Sequence, residues 1–150
     1  VGGSLYSRFG FSDVLTMFLV LDAQVELYKG GIVPLSEYAE RPKDRDILVR
    51  VIVPKRKAKF NYQSVRISQT DIPVLTCASV KDENGYRFAI GARPARAQIY
   101  AQPVDRTAEQ MAEVVRAEIK IGSSLRGSAE YRRHLAGVLV RRAAHALNAE

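Results

Sequence analysis

The sequence predicts an α+β fold, with strands and helices in separate blocks rather than in alternation. Strand-like runs succeed one another over residues 60–101, and two of them are joined by Asp82-Glu83-Asn84-Gly85. Two helix signals follow, beginning at Thr107 and Ser128. A shorter unit of glycine turn, helix and strands precedes them and ends near Pro54-Lys55-Arg56-Lys57. The expected organisation is two pieces, residues 1–56 and residues 57–150. The second is a small domain with a three- to four-stranded antiparallel sheet packed with helices.

In the first piece, Gly2-Gly3-Ser4 opens with a turn. Ser12 and Asp13 cap a helix over Val14–Leu21 that is apolar nearly all round and so should be buried. Gln24–Tyr28 reads as a strand ending at Gly30-Gly31. Ile47–Val53 reads as another, rich in β-branched residues and stopped by Pro54. In the second piece the strands are Phe60–Ser68, Pro73–Lys81 and Tyr86–Ala92, with Ala97–Ala101 as a short fourth. Asn84-Gly85 is a hairpin signal because both residues tolerate positive φ. Thr107 and Gln110 form a capping box, in which each side chain satisfies a free N–H of the helix start. Met111, Val114, Val115 and Ile119 mark that helix's inner face. On the last helix, Ser128 to about Leu147, the expected apolar side is Tyr131, Leu135, Val138, Leu139 and Ala146. Its arginines Arg132, Arg133, Arg141 and Arg142 read as a solvated or carboxylate-paired face.

Composition removes several function classes. The most apolar run, Val14–Leu21, falls well short of the ~20 residues of a membrane helix. No charged leader with a small-residue cleavage site is present, so a cytoplasmic location is expected. The chain has no initiator Met and begins inside what reads as a motif, as a processed or excised piece would. Cys77 is the one cysteine, which rules out an intrachain disulfide or a cysteine-held cluster, and its apolar surroundings predict a buried, inert thiol. His134 and His145, eleven positions apart, lack the spacing of metal ligands on one helix. The net charge of +7 is uneven: 8 basic and 7 acidic residues before position 57, then 15 and 9. A basic module suits nucleic acid, an anionic cofactor or an acidic partner. Against nucleic acid, the terminal helix carries a single aromatic residue, Tyr131, and no Asn or Gln among its arginines to read bases.

The first candidate site is Gly2-Gly3-Ser4 followed by Ser12-Asp13. Two glycines allow close backbone approach and expose N–H groups to an anion. Ser4 or Ser7 could add a donor, and Asp13 could accept from a ligand hydroxyl. A tight turn and a helix cap account for the same residues.

The segment GGSLYSRFGFSDVLTMFLVLDAQVELYKGGIVPLSEYA resembles the second flavin-binding stretch of the FAD-binding subunit of molybdenum hydroxylases, the xanthine dehydrogenase and carbon monoxide dehydrogenase family. RGSAEYRRHLAGVLVRRAAHAL, Arg126–Leu147, resembles the last helix of that subunit. Arg66, Asp71 and Ile72-Pro73 fit the family's R-x-S-x-x-D-x-P strand, and AIGARPARA fits its GxxxxxPxRA segment loosely. The resemblance implies that residues 1–56 are the C-terminal half of a flavin-binding α/β domain. It places Gly2, Gly3, Ser4 and Ser7 along the phosphates and ribityl chain of FAD, Asp13 on the ribityl hydroxyls, and Ile47 and Leu48 against the isoalloxazine ring. Residues 57–150 would be the flavoprotein C-terminal domain.

Three departures bear on that implication. The family's earlier half, with a first glycine-rich loop, is not in this sequence, so the flavin site is expected to be incomplete. Leu125 stands where an acid is expected before Arg126, and Tyr62, Gln63 and Ser64 stand where many members carry a lysine near the ring.

By resemblance the protein is part of a multi-subunit oxidoreductase. FAD would receive electrons from a [2Fe–2S] subunit, fed by a molybdopterin-binding subunit, and pass them to NAD or another acceptor. The fragment alone is expected to be inactive, with no catalytic side chain and no metal ligand of its own. Two alternatives are a subunit-docking scaffold without chemistry of its own and, less favoured, a nucleic-acid-binding module.

Overall fold

The computed structural model describes residues 1–149. It contains two antiparallel sheets and five helices among those residues, the α+β class expected. The chain opens with α1 (Gly2–Tyr6) and α2 (Asp13–Val20). The expected opening turn is therefore one turn of helix, with Leu5 buried beneath it. Ser12 caps α2 by accepting from Leu15 N–H at 3.2 Å, and Asp13 occupies the first turn.

Strands β1 (Gln24–Leu27), β2 (Gly31–Pro34) and β3 (Leu48–Ile52) form the first sheet in the order β2-β1-β3. β2 was not expected. Leu27 pairs with Gly31 across a three-residue turn, and Gly31 has φ 67, which glycine adopts at little cost. Helix α3 (Leu35–Glu40) follows β2 directly and buries Leu35, Tyr38 and Ala39.

Strands β4 (Lys59–Val65), β5 (Leu75–Asp82), β6 (Gly85–Gly91) and β7 (Gln98–Gln102) form a meander in sequence order. Asp82 pairs with Gly85, so the two turn residues are Glu83-Asn84 rather than Asn84-Gly85. Gly85 is required for another reason: it has φ 121, and a Cβ there would lie 2.5 Å from the Gln102 carbonyl of β7. Helix α4 (Ala108–Glu118) has the full Thr107/Gln110 capping box, and α5 (Ala129–Asn148) is capped by Ser128.

The four-stranded sheet is covered on both faces. Leu75, Cys77, Phe88 and Ile90 face α4 and α5, in a core with Met111, Val115, Leu135, Leu139 and Val140. Ala78, Val80 and Ala89 face the other way, onto α2, in a core with Leu15, Leu19 and Val20 that extends to the first sheet's Val25 and Leu27. This explains why Leu75–Val80 is buried at every position: alternate residues enter different cores. Each fully buried Leu, Phe or Ile stabilises by roughly 1.5–3 kcal/mol. The second core runs across residue 56, and so does an ion network. The Asp82 side chain, only 5% exposed, receives Arg56 and Arg87, which also reach Asp22.

The buried stripe of α5 is rotated from the expected one. It is Arg132, Leu135, Ala136, Leu139, Val140, Ala143, Ala144 and Leu147, whereas Tyr131 and Ala146 are exposed. Arg132, expected at the surface, is 1% exposed.

Candidate functional site

The segment between α1 and α2 is held close against the loop that precedes β5. Asp13, at the start of α2, accepts from Tyr62 Oη at 2.5 Å and from Arg66 Nη2 at 2.5 Å. Arg66 also donates to the Asp71 carbonyl at 2.6 Å, and the Asp71 carboxylate receives Arg126 through Nε and Nη2. A chain of hydrogen bonds thus runs Tyr62, Asp13, Arg66, Asp71, Arg126. Burial, then the bond to Asp13, pushes the Tyr62 phenol above its usual range, so it stays a donor. The Arg126 guanidinium holds the Asp71 carboxyl below the usual carboxylate range.

A groove of 330 Å³ lies beside this chain. Ser4, Ser7, Ser12 and Thr70 bring hydroxyls to it, and Asp13, Arg66 and Asp71 bring charge. Phe9, Phe11, Ile72 and Pro73 form its apolar part. The Ser7 hydroxyl donates to the Ser4 carbonyl at 3.2 Å, and Ser12 is committed to its cap. Ser4 makes no side-chain hydrogen bond to any described residue.

Of the residues singled out in the sequence, the structure brings Ser4, Ser7 and Asp13 to this one groove. Gly2 and Gly3 adjoin it on α1 and are exposed. A Cβ at either would meet nothing within 4 Å, and neither has positive φ, so the chain's own packing does not demand glycine there. Ile47 and Leu48 do not line the groove. Ile47 is 63% exposed just before β3, and Leu48 is half-buried against the second core.

Arg66, Thr70 and Asp71 also line the groove, although sequence alone did not mark them as site residues. Their signal was present in the run Arg66 to Pro73, but only the pairing of Arg66 with Asp13 places it opposite α2. Leu125, which replaces the expected acid, is fully exposed at a turn tip, and Arg126 takes its carboxylate from Asp71 instead. Among the described residues no group of three His, Cys, Asp or Glu could hold a metal ion, and no helix is long and apolar enough to cross a membrane.

A four-stranded meander backed by two C-terminal helices, with a polar groove at its α2 edge, matches a known flavoprotein architecture. Residues 60–147 match the CO dehydrogenase flavoprotein C-terminal domain, and the chain belongs to that family. The chain is 28% identical to YgfM of Escherichia coli K12 over 145 residues, which are 93% of this chain and 55% of YgfM. It therefore spans about half the length of the curated relative it matches. Among solved structures, a carbon monoxide dehydrogenase from Hydrogenophaga pseudoflava superposes with a TM-score of 0.83 at 20% identity, over 99% of this chain and 61% of that one. Quinoline 2-oxidoreductase from Pseudomonas putida 86 gives 0.81 at 20% identity, over 97% and 59%. At these identities the superpositions establish a shared fold.

Proposed function

We propose that this chain supplies one wall of an FAD site in a molybdopterin-dependent dehydrogenase. In that assembly FAD would pass electrons from the [2Fe–2S] clusters of a partner subunit to NAD or another acceptor. Bound FAD would supply the electron-transfer chemistry. The chain's own residues bind and orient. Ser4 and Ser7 offer hydroxyls at the ribityl and phosphate side, Asp13 can accept from ribityl hydroxyls, and Gly2 and Gly3 allow a ligand against bare backbone. Ile47 and Leu48 offer an apolar contact to the isoalloxazine ring, apart from the groove.

One observation carries the reading: two glycines stand beside a groove of hydroxyls, in a helical turn where nothing within the chain excludes a side chain. Glycine inside a helix costs about 1 kcal/mol relative to alanine, so a ligand pressed onto the backbone is a physical reason to keep it. Gly3→Ala should therefore leave thermal stability equal or slightly raised while weakening FAD binding at least about tenfold. Flavin-fluorescence titration measures the binding, with Arg133→Ala as the control that changes nothing. Wild-type affinity in Gly3→Ala would refute the wall. The wild-type chain is expected to bind weakly and to purify largely colourless.

A second reading has its own observation. Both Asp13 oxygens are already engaged by Tyr62 and Arg66, which suits a scaffold that braces a flavin domain and docks subunits. On that reading Asp13→Ala lowers stability without changing FAD affinity beyond what Arg133→Ala does.

A further inference from the structure

Behind the polar groove lies a second, larger pocket of 480 Å³, separated from it by Phe9, Phe11, Ile72 and Pro73. Its volume is in the range that takes small organic ligands. Its walls are mostly apolar, and the rings of Phe9 and Phe11 stack at 5.1 Å between centroids. Four arginines line it, Arg8, Arg96, Arg126 and Arg132, and no carboxylate does.

The charges do not balance. Arg96 is paired with Glu40, and Arg126 with Asp71. Arg8 and Arg132 have no ion-pair partner among the described residues, and they are the two most buried of the four, at 8% and 1% exposure. Arg8 Nη1 donates to the carbonyls of Arg41 and Pro42, and its guanidinium lies 4.5 Å from the Tyr38 ring centroid, while Nε and Nη2 meet no acceptor among the described residues. Arg132 donates to the carbonyls of Val74, Gly122 and Gly127 and to Ser124 Oγ. Carbonyl dipoles and a ring face offset only part of a buried cation's lost hydration. Two buried cations beside one acid-free pocket leave a positive potential that a bound anion would neutralise.

The pocket is also built rather than incidental. Ala92 N–H donates to the Gly10 carbonyl at 2.7 Å, and a Cβ on Gly10 would fall 2.1 Å from the Ala95 carbonyl. Arg8 and Ala92 both hold positive φ, 53° and 57°. Such conformations cost on the order of 1–3 kcal/mol for non-glycine residues and cluster at ligand sites.

We propose that this pocket binds a small organic anion with a flat apolar body, of the aryl carboxylate class. The body lies between the Phe9/Phe11 stack and the Pro73 and Ala92 walls, and the carboxylate offsets the charge of Arg8 and Arg132. This inference does not depend on flavin binding, and its test contains no flavin.

The test is isothermal titration of the purified chain with 2-naphthoate and with its neutral counterpart, 2-naphthylmethanol. The acid should bind one per chain and at least about tenfold more tightly than the alcohol. Arg8→Met keeps the apolar stem and removes the charge, and should reduce that preference to about twofold or less while the alcohol's affinity stays. Since Arg8→Met could unfold the loop, Ala95→Phe provides an independent arm. Ala95 is exposed on the pocket wall, so a ring there should fill the space and abolish binding of both ligands with the circular dichroism unchanged. Absence of binding by the wild type, equal affinity for acid and alcohol, or unaltered naphthoate binding by folded Ala95→Phe would each overturn the proposal.

Discussion

Arg132→Met tests how much of this fold hangs on one buried cation. The guanidinium sits in the inner stripe of α5 and donates to four acceptors: the Val74 carbonyl at 2.9 Å, the Gly122 carbonyl at 2.9 Å, the Gly127 carbonyl and Ser124 Oγ at 2.6 Å. It thereby ties the entrance of β5 and the 122–127 loop to the last helix. Hydrogen bonds from a charged donor contribute about 1.5 kcal/mol or more each, so the set is worth roughly 6 kcal/mol before opposing terms. Opposing it, burial disfavours the charge, as the lowered pKa of Arg132 indicates, and methionine would bury its own apolar surface in the same slot. The net expectation is a loss of about 3 kcal/mol, or about 6–12 °C in Tm for a chain of this size. Urea denaturation followed by circular dichroism measures it. Arg132→Lys should not rescue, because one ammonium cannot reproduce the planar fork that reaches four acceptors. A loss below about 1 kcal/mol for Met, or full rescue by Lys, would refute the latch.

Three further outcomes follow from named geometry. Gly10→Ala should destabilise by about 1–3 kcal/mol through the clash with the Ala95 carbonyl, whereas Gly30→Ala, whose nearest contacts are at 3.1 Å or more, should cost less; thermal melts compare them. Cys77 is fully buried and its thiol is pushed up to about 12 by burial, so Ellman's reagent should label it at about pH 8 only after denaturant is added. Asp71 is an acid whose folded pKa is depressed by Arg126, so its contribution is present above its unfolded value near ~4 and is lost as pH falls through the folded one. Acid unfolding below about pH 4 should therefore be shallower in Asp71→Asn.

The parts of the fold that were legible in the sequence are those set by neighbours along the chain. The capping box at Thr107 and Gln110 and the serine caps at Ser12 and Ser128 fix three helix starts by satisfying N–H groups within one turn. The strand runs from Phe60 to Ala101 declared themselves by composition. The hairpin was legible, but its centre was not. The pairing of Asp82 with Gly85 puts Glu83-Asn84 in the turn, because Gly85 is claimed by the close approach of β7. β2 and α3 escaped because Gly31–Pro34 is a short stretch that becomes a strand only by pairing with β1.

The rotated face of α5 has a similar cause. Large apolar residues suggest a stripe through Tyr131 and Val138, but the core between the sheet, α4 and α5 takes in the small side chains of Ala136, Ala143 and Ala144. The register that buries them also buries Arg132. An arginine following the spacing of Leu135 and Leu139 was a usable sign, and the Val74 carbonyl ahead of β5 with the acceptors of the 122–127 loop makes that burial tolerable.

For the candidate site, the sequence by itself determined the residue types: the glycine pair, the serines and the aspartate, spaced to resemble a flavin-binding stretch. Only the tertiary structure decided which of them meet. It joined Asp13 to Tyr62 and Arg66, separations of 49 and 53 residues, and left Ile47 and Leu48 outside the groove. It also set two unpaired arginines, 124 positions apart, on one apolar pocket. Local hydrogen bonds reward near neighbours, so the sequence shows them directly. Charge balance and cavity shape are sums over residues brought together by packing, so they exist only once the chain is folded.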